Sequence, residues 1–408
     1  MTAVPRPRPF VEELVTYRPG RSAEGLTKLS SNESSAPPHP AVIEAVDAAA
    51  RRLNTYPLHG NEAVRVAVAQ YLRATDPAAA GLDEHAVVVG NGSVSLLRHV
   101  FDTYVGEGDA VVTPWPSFEA YPIFSQITQA RFVGVPDRSG VVDMAGLLRA
   151  VADHDPRLIL LATPNNPTGA QVDHADMLAV LDACGPETVV VVDNAYAEFE
   201  RNVDGTRALE LLEAHPNVLV LRTLSKAFSL AGLRVGYGIG HPELVDAVER
   251  MRSPFEVSAL AQAGAVAGLA HYPDALATVA QVVDERTRCL DVLRGTGLPV
   301  GESQGNFVWI DAGNLSGLFT GRLWDDGYVV REFPGEGVRV TVVADPGVND
   351  GWVTSVAATW QLAELAGARD SVAPATAASR PRSSDSGLQK STYGAAALLA
   401  GSVETVGA

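Results

Sequence analysis

The chain has 408 residues, 46% hydrophobic and 19% charged, and 31 basic against 48 acidic side chains leave a formal charge of −17. That is the composition of a folded globular protein, and the acidic balance argues against nucleic acid or an anionic membrane as the main partner. Cys184 and Cys289 are the only cysteines, too few for a disulfide framework or a cysteine-based metal site.

Met1 to Phe10 alternates proline and arginine without an apolar core, so no signal peptide is expected. The apolar runs are far shorter than a membrane span needs, and a soluble cytoplasmic protein is the expectation. Residues 1–55 carry turns and one helical stretch, Ala41–Leu53, with too little apolar material for a core. We expect this segment to join a smaller domain and a dimer contact.

From 56 to 284, short β-branched runs recur: His85–Val89, Asp109–Thr113, Arg157–Ala162, Thr188–Asp193, Asn217–Arg222 and Val235–Ile239. Helical spacing separates several of them. In Glu243–Arg252, Leu244, Val245, Val248 and Met251 share one face behind Pro242. Strands apolar on both faces, alternating with helices, predict an α/β domain with a mainly parallel sheet between helices. Residues 285–368 read as a smaller α+β domain: a helix over Val282–Arg294, strands over Asn306–Asp311, Tyr328–Arg331 and Gly337–Val343, and a closing helix. Residues 369–408 shift to Ala, Ser, Thr, Pro and Gly and predict a disordered tail.

Chemistry-bearing residues follow the strands of the larger domain. The first run leads into Gly90-Asn-Gly92-Ser93-Val94, where glycines let a backbone approach closely and a helix N-terminus attracts an anion. After the second comes an aromatic loop in which Phe118 could lie flat on a planar ring or simply belong to the core. After the third, Asn166 precedes Pro167 with its amide free to donate, unless the stretch is an ordinary turn. The fourth ends in Asp193 with Tyr196 close behind, a carboxylate and a phenol at the sheet edge; a helix cap is the plainer reading. After the fifth, Thr223-Leu-Ser225-Lys226 places an amine in the cleft where open α/β sheets bind ligands. Thr223, Ser225 and Arg234 make a set suited to a phosphate. Any one of these has a bland explanation. Together they match what pyridoxal 5′-phosphate (PLP) requires.

The set Asn-Pro-Thr-Gly, Asp-x-Ala-Tyr and Ser-Lys-x-x-x-x-x-Gly-x-Arg resembles the fold-type I PLP-dependent aminotransferases over roughly residues 10 to 366. Within them it is similar to the histidinol-phosphate aminotransferase branch. Gly92–Leu96, Ser117–Pro122 and Ala231–Tyr237 look most like the actinobacterial aromatic amino acid (phenylalanine) aminotransferases. The resemblance implies an aspartate aminotransferase-like fold and ping-pong transamination of an aromatic L-amino acid with 2-oxoglutarate. Histidinol phosphate is the alternative substrate. A PLP decarboxylase on this scaffold and a non-catalytic PLP-binding regulator rank lower.

By the same resemblance, Lys226 forms the internal imine and shuttles the substrate proton, and Asp193 pairs with the pyridine nitrogen. Tyr196 and Asn166 bond the ring oxygen O3′, and Phe118 stacks on the ring. Gly92, Ser93, Val94, Thr223, Ser225 and Arg234 belong to the cofactor and phosphate site. Tyr56 matches a tyrosine reaching the partner subunit's phosphate, so a homodimer is implied. Arg339 matches the clamp for the substrate α-carboxylate, and Tyr17, Asn32 and Arg331 match positions lining the substrate pocket. The chain departs from the pattern at Asn194, where Glu is usual, at Ser34-Ser35, at Leu58 and at Val343. The Asn194 change is expected to affect cofactor binding little.

Overall fold

A computed structural model describes residues 4–14, 24–137, 140–202 and 205–365. The expected tail and Tyr17 lie outside the described residues. The strands in chain order are β1 (Thr27–Lys28), β2 (Val87–Gly90), β3 (Ala110–Trp115), β4 (Arg131–Pro136), β5 (Leu158–Ala162), β6 (Val189–Asp193), β7 (Val218–Thr223), β8 (Gly236–Gly240), β9 (Phe307–Ile310), β10 (Tyr328–Val329), β11 (Arg331–Phe333) and β12 (Gly337–Thr341). Seven of them form one sheet in the order β2-β8-β7-β6-β5-β3-β4. Only β8 in that sheet runs antiparallel to its neighbours β2 and β7.

The central strands are apolar on both sides because helices cover both sides. Ile159, Leu161, Val190, Val192, Val218 and Val220 pack into one apolar cluster. Their alternates Leu158, Leu160, Val189, Val191, Leu219 and Leu221 pack into the other. This is the two-residue period of a strand dividing its side chains between two cores. Each fully buried aliphatic side chain contributes about 2 kcal/mol, so the sheet is held mainly by these twelve and their neighbours.

Several elements differ from the sequence reading. β4 is an addition to the expected strands; it lies at the sheet edge, where its Pro136 is tolerated. The helix expected over Glu243–Arg252 spans Pro242–Glu249, and Met251 falls outside it, 45% exposed. The single strand expected over Tyr328–Arg331 is two: β10 pairs with β1, while β11 joins the antiparallel sheet β11-β12-β9. The helix Tyr272–Gly295 runs unbroken through position 284, where the sequence suggested a domain boundary. The parallel pairing Thr27↔Tyr328 ties the N-terminal segment to the C-terminal region. Among the described residues no helix is long and apolar enough to cross a membrane.

Candidate active site

Strands β2, β3, β5, β6 and β7 all point the same way, so the loops that follow them meet at one edge of the sheet. Lys226 stands just beyond β7, and its Nζ donates to the Ser31 carbonyl at 2.9 Å. Burial, reinforced by the positive charges of Arg339 and Arg234, pulls its pKa down to about 7. Near neutral pH a large fraction of this amine is therefore uncharged and nucleophilic.

Asp193 closes the neighbouring strand β6. Its Oδ2 accepts from the Tyr121 hydroxyl at 3.0 Å, while Oδ1 is buried without a hydrogen-bond partner. Burial pushes this carboxyl up to about 6, against the hydrogen bonds that favour the ionised form. Tyr196 is 5% exposed and its hydroxyl accepts from Asn32 Nδ2 at 2.9 Å. Asn32 sits in the left-handed region, φ 53°, which asparagine tolerates better than most residues. Its N–H donates to Thr341 Oγ1, the Thr341 hydroxyl donates to its Oδ1, and Asn306 donates to its carbonyl. The phenol is thus aimed by a backbone locked from both ends of the chain.

The loops after β3 and β5 share one buried amide. Asn165 accepts from Ser117 Oγ at 2.7 Å and donates to the Pro116 carbonyl and to Thr168 Oγ1, each at 2.9 Å. This fixes the neighbouring Phe118, which packs edge-on against Tyr121 with centroids 5.7 Å apart. It also fixes Asn166, whose Oδ1 accepts from Arg339 Nη1. Arg339 also donates to the Ser30 carbonyl at 2.6 Å, and its guanidinium lies 5.6 Å from the Phe307 ring centroid.

Gly92, φ 81°, precedes the helix Ser93–Tyr104 with no side-chain cap, leaving the first-turn N–H groups of Ser93 and Val94 as anion donors. Arg234 reaches Ser225 Oγ at 3.5 Å, and Thr223 Oγ1 donates to Ser225 Oγ at 2.9 Å. A side chain at Gly92 would begin 2.7 Å from Arg234 Nη2, and one at Gly236 would begin 2.2 Å from the Ser93 nitrogen. Both glycines exist so that β8, Arg234 and the turn after β2 can close into one cradle.

Two expected residues have other side-chain partners in the single chain. Tyr56 is 81% exposed and stacks on Phe255 at 4.6 Å. Arg331 points its Nη2 at both carboxylate oxygens of Glu119, at 2.6 and 2.7 Å. The sequence reading missed Tyr121 and Thr341 as functional residues. Tyr121 was legible in principle, one helical turn after Phe118, whereas Thr341 acts only through a fold that brings it to Asn32.

The aminotransferase class I and II family model matches residues 24–353. The chain belongs to that family. It is 39% identical to the aromatic amino acid aminotransferase of Rhodococcus opacus (strain B4), over 87% of this chain and 96% of the relative. It is 40% identical to the aromatic amino acid aminotransferase of Streptomyces coelicolor, over 83% of this chain and 93% of the relative. Among solved structures, histidinol-phosphate aminotransferase from Sinorhizobium meliloti in complex with pyridoxal-5′-phosphate superposes with TM-score 0.78 at 26% identity, covering 88% of this chain and 99% of that one. A Thermus thermophilus aspartate aminotransferase shares the fold, with TM-score 0.72 at 20% identity over 88% and 100% of the two chains.

This aminotransferase absorbs its departures from the common pattern in different ways. Asn194 is buried, donates to the Thr163 carbonyl and Glu200 Oε1, and accepts from Arg222 Nε. Its partner Glu200 is pushed up to about 7 by burial. Val343 is bracketed by Asn349, which accepts from its N–H and donates to its carbonyl. Leu58 is 67% exposed, and nothing in the structure explains it.

Proposed function

We propose that this aminotransferase binds PLP and transfers the amino group of an aromatic L-amino acid to 2-oxoglutarate in a ping-pong cycle. The observation that carries the reading is the presence of a buried, unpartnered Asp193 oxygen and a depressed-pKa Lys226 amine at the ends of neighbouring strands β6 and β7. A protonated ring nitrogen would supply the donor that Asp193 Oδ1 lacks, so the residues fit the group. When bound, PLP supplies an aldehyde and an electron-accepting pyridine ring.

The protein's part is then positional and electrostatic. Asp193, oriented by Tyr121, holds positive charge at the ring nitrogen. Tyr196 and Asn166 would offer hydrogen bonds to the ring oxygen, and Phe118 would pack on the ring. Ser93, Thr223, Ser225, Arg234 and the N–H groups after Gly92 hold the phosphate. Arg339 takes the substrate α-carboxylate, exchanging its bond to Asn166 for it. Lys226, uncharged in a large fraction near neutral pH, receives the proton from the substrate Cα and returns it on the far side of the transfer. Tyr56, surface-exposed in one chain, serves the site of a second copy, which makes the working unit a homodimer.

The test is to load the purified protein with PLP and follow its absorbance as phenylalanine, tyrosine and histidinol phosphate are added singly. Phenylalanine and tyrosine are expected to convert the cofactor and release their 2-oxo acids. Faster conversion by histidinol phosphate would favour that substrate, in line with the Sinorhizobium likeness. CO2 release without consumption of a 2-oxo acid would identify a decarboxylase.

A further inference from the structure

An amino donor with an aromatic side chain and an acceptor with a carboxylate side chain make opposite demands on one pocket, and the structure contains a device suited to both. Arg331 and Arg339 are directly opposed across β11 and β12. In an antiparallel pair such residues leave the same face, with Cβ atoms about 5 Å apart. The two side chains therefore start side by side, Arg339 being the one proposed to grip the α-carboxylate. Arg331 is engaged by an acid from the loop after β3: Glu119, adjacent to Phe118, holds Arg331 Nη2 between its two oxygens.

We infer that Glu119 is a specificity-determining counter-ion, occupying Arg331 when the side chain in the pocket is neutral and yielding it to a substrate carboxylate. The inference rests on the amino-transfer reading above. With an aromatic ring bound, the Glu119–Arg331 pair leaves no uncompensated charge beside the ring, whose burial a bare guanidinium would oppose. With a dicarboxylate bound, the distal carboxylate replaces Glu119 on Arg331. The exchange is feasible because the Glu119 side chain is 35% exposed against 17% for Arg331. The released acid can rehydrate, since it is the more exposed partner of a partly buried pair. Glu119 therefore sets the balance between neutral and acidic side chains without contacting the reacting atoms.

The experiment compares equilibrium binding of glutarate and of 3-phenylpropionate, two non-reacting acids, to the PLP-loaded wild type and to Glu119→Gln, read from the cofactor absorbance. The substitution keeps an oxygen that accepts from Arg331 but removes the competing charge. The ratio of the two dissociation constants is expected to shift about tenfold toward glutarate, about 1.4 kcal/mol. Glu119→Asp, which restores the charge, is expected to move the ratio back toward wild type. An unchanged ratio, or equal changes for both acids, would overturn the inference. Because neither acid reacts, this outcome is separate from the identity of the amino donor. Failure of the wild type to convert with phenylalanine would overturn the donor assignment and leave the binding ratio to be read on its own.

Discussion

The edge of the seven-stranded sheet and the face of the three-stranded sheet β11-β12-β9 supply the two halves of the site by different means. On the large sheet, Asp193 and Lys226 follow adjacent strands with in-register pairing, Asp193 opposite Leu221. Their placement is fixed by local chain direction and by the two apolar cores. On the small sheet, Arg339 and Arg331 make hydrogen bonds that cross the molecule, to Asn166 and Ser30 in one case and to Glu119 in the other. The proposed cofactor half draws on successive βα turns of one sheet, and the proposed substrate half on contacts between distant segments.

The comparison is broken most severely at Lys226. Lys226→Ala is expected to lower kcat by about 10⁴-fold or more, since nucleophile and proton carrier go together. Single-turnover conversion of the PLP-loaded variant by phenylalanine measures it, and retained turnover would remove Lys226 from the mechanism.

Asp193→Asn separates function from stability. In the native chain this carboxyl titrates near 6, above its ordinary 3.8. Between those values the native state holds more protons than the unfolded state, so this group's contribution to stability falls as pH rises through the window. At neutral pH the cost of the buried charge is fully present, on the order of 1–3 kcal/mol. The amide variant is expected to melt higher than wild type as the cofactor-free protein at pH 7, with the gain vanishing below about pH 4. Its kcat is expected to fall on the order of 10²-fold or more. An apo protein that melts lower at pH 7 would contradict the burial argument.

Gly236→Ala tests whether the cradle depends on the close approach of β8. Its Cβ would meet backbone at the Ser93 nitrogen rather than a side chain that can turn away. A loss on the order of 2 kcal/mol in thermal or urea unfolding is expected, with weaker PLP binding in equilibrium titration.

The mildest effects are expected from the supporting hydroxyl. Tyr121→Phe removes one hydrogen bond to Asp193 while keeping the ring packed on Phe118. Because that bond favours the ionised carboxylate, its loss is expected to raise the acidic limb of the kcat/KM–pH profile and lower activity at pH 7 severalfold, on the order of 1 kcal/mol. A profile that keeps its acidic limb would show that Tyr121 is packing alone.

What the sequence revealed follows the same division. The strands ending at Asp193 and Thr223 were legible because valine and leucine runs buried on both faces leave few other structures open to them. The residues after them were legible because a strand's end fixes where the next few residues go. β4 was hidden because an edge strand with Gly134 and Pro136 lacks that signal. Asn32 was named from the resemblance as a pocket residue, but its bonds to Tyr196 and Thr341, and the meeting of Glu119 with Arg331, were hidden for a different reason. Asn32 bonds Thr341 across more than three hundred positions, and Glu119 bonds Arg331 across more than two hundred. No local period encodes such a meeting.

The shared amide of Asn165 bears on any attempt to redesign the substrate range. Since it ties Ser117 to Thr168, the loops carrying Phe118 and Asn166 move as one unit. A replacement that shifts either loop drags the other with it. Selective retuning is therefore better directed at Glu119, whose side chain lies outside that knot, than at Ser117, Asn165 or Thr168.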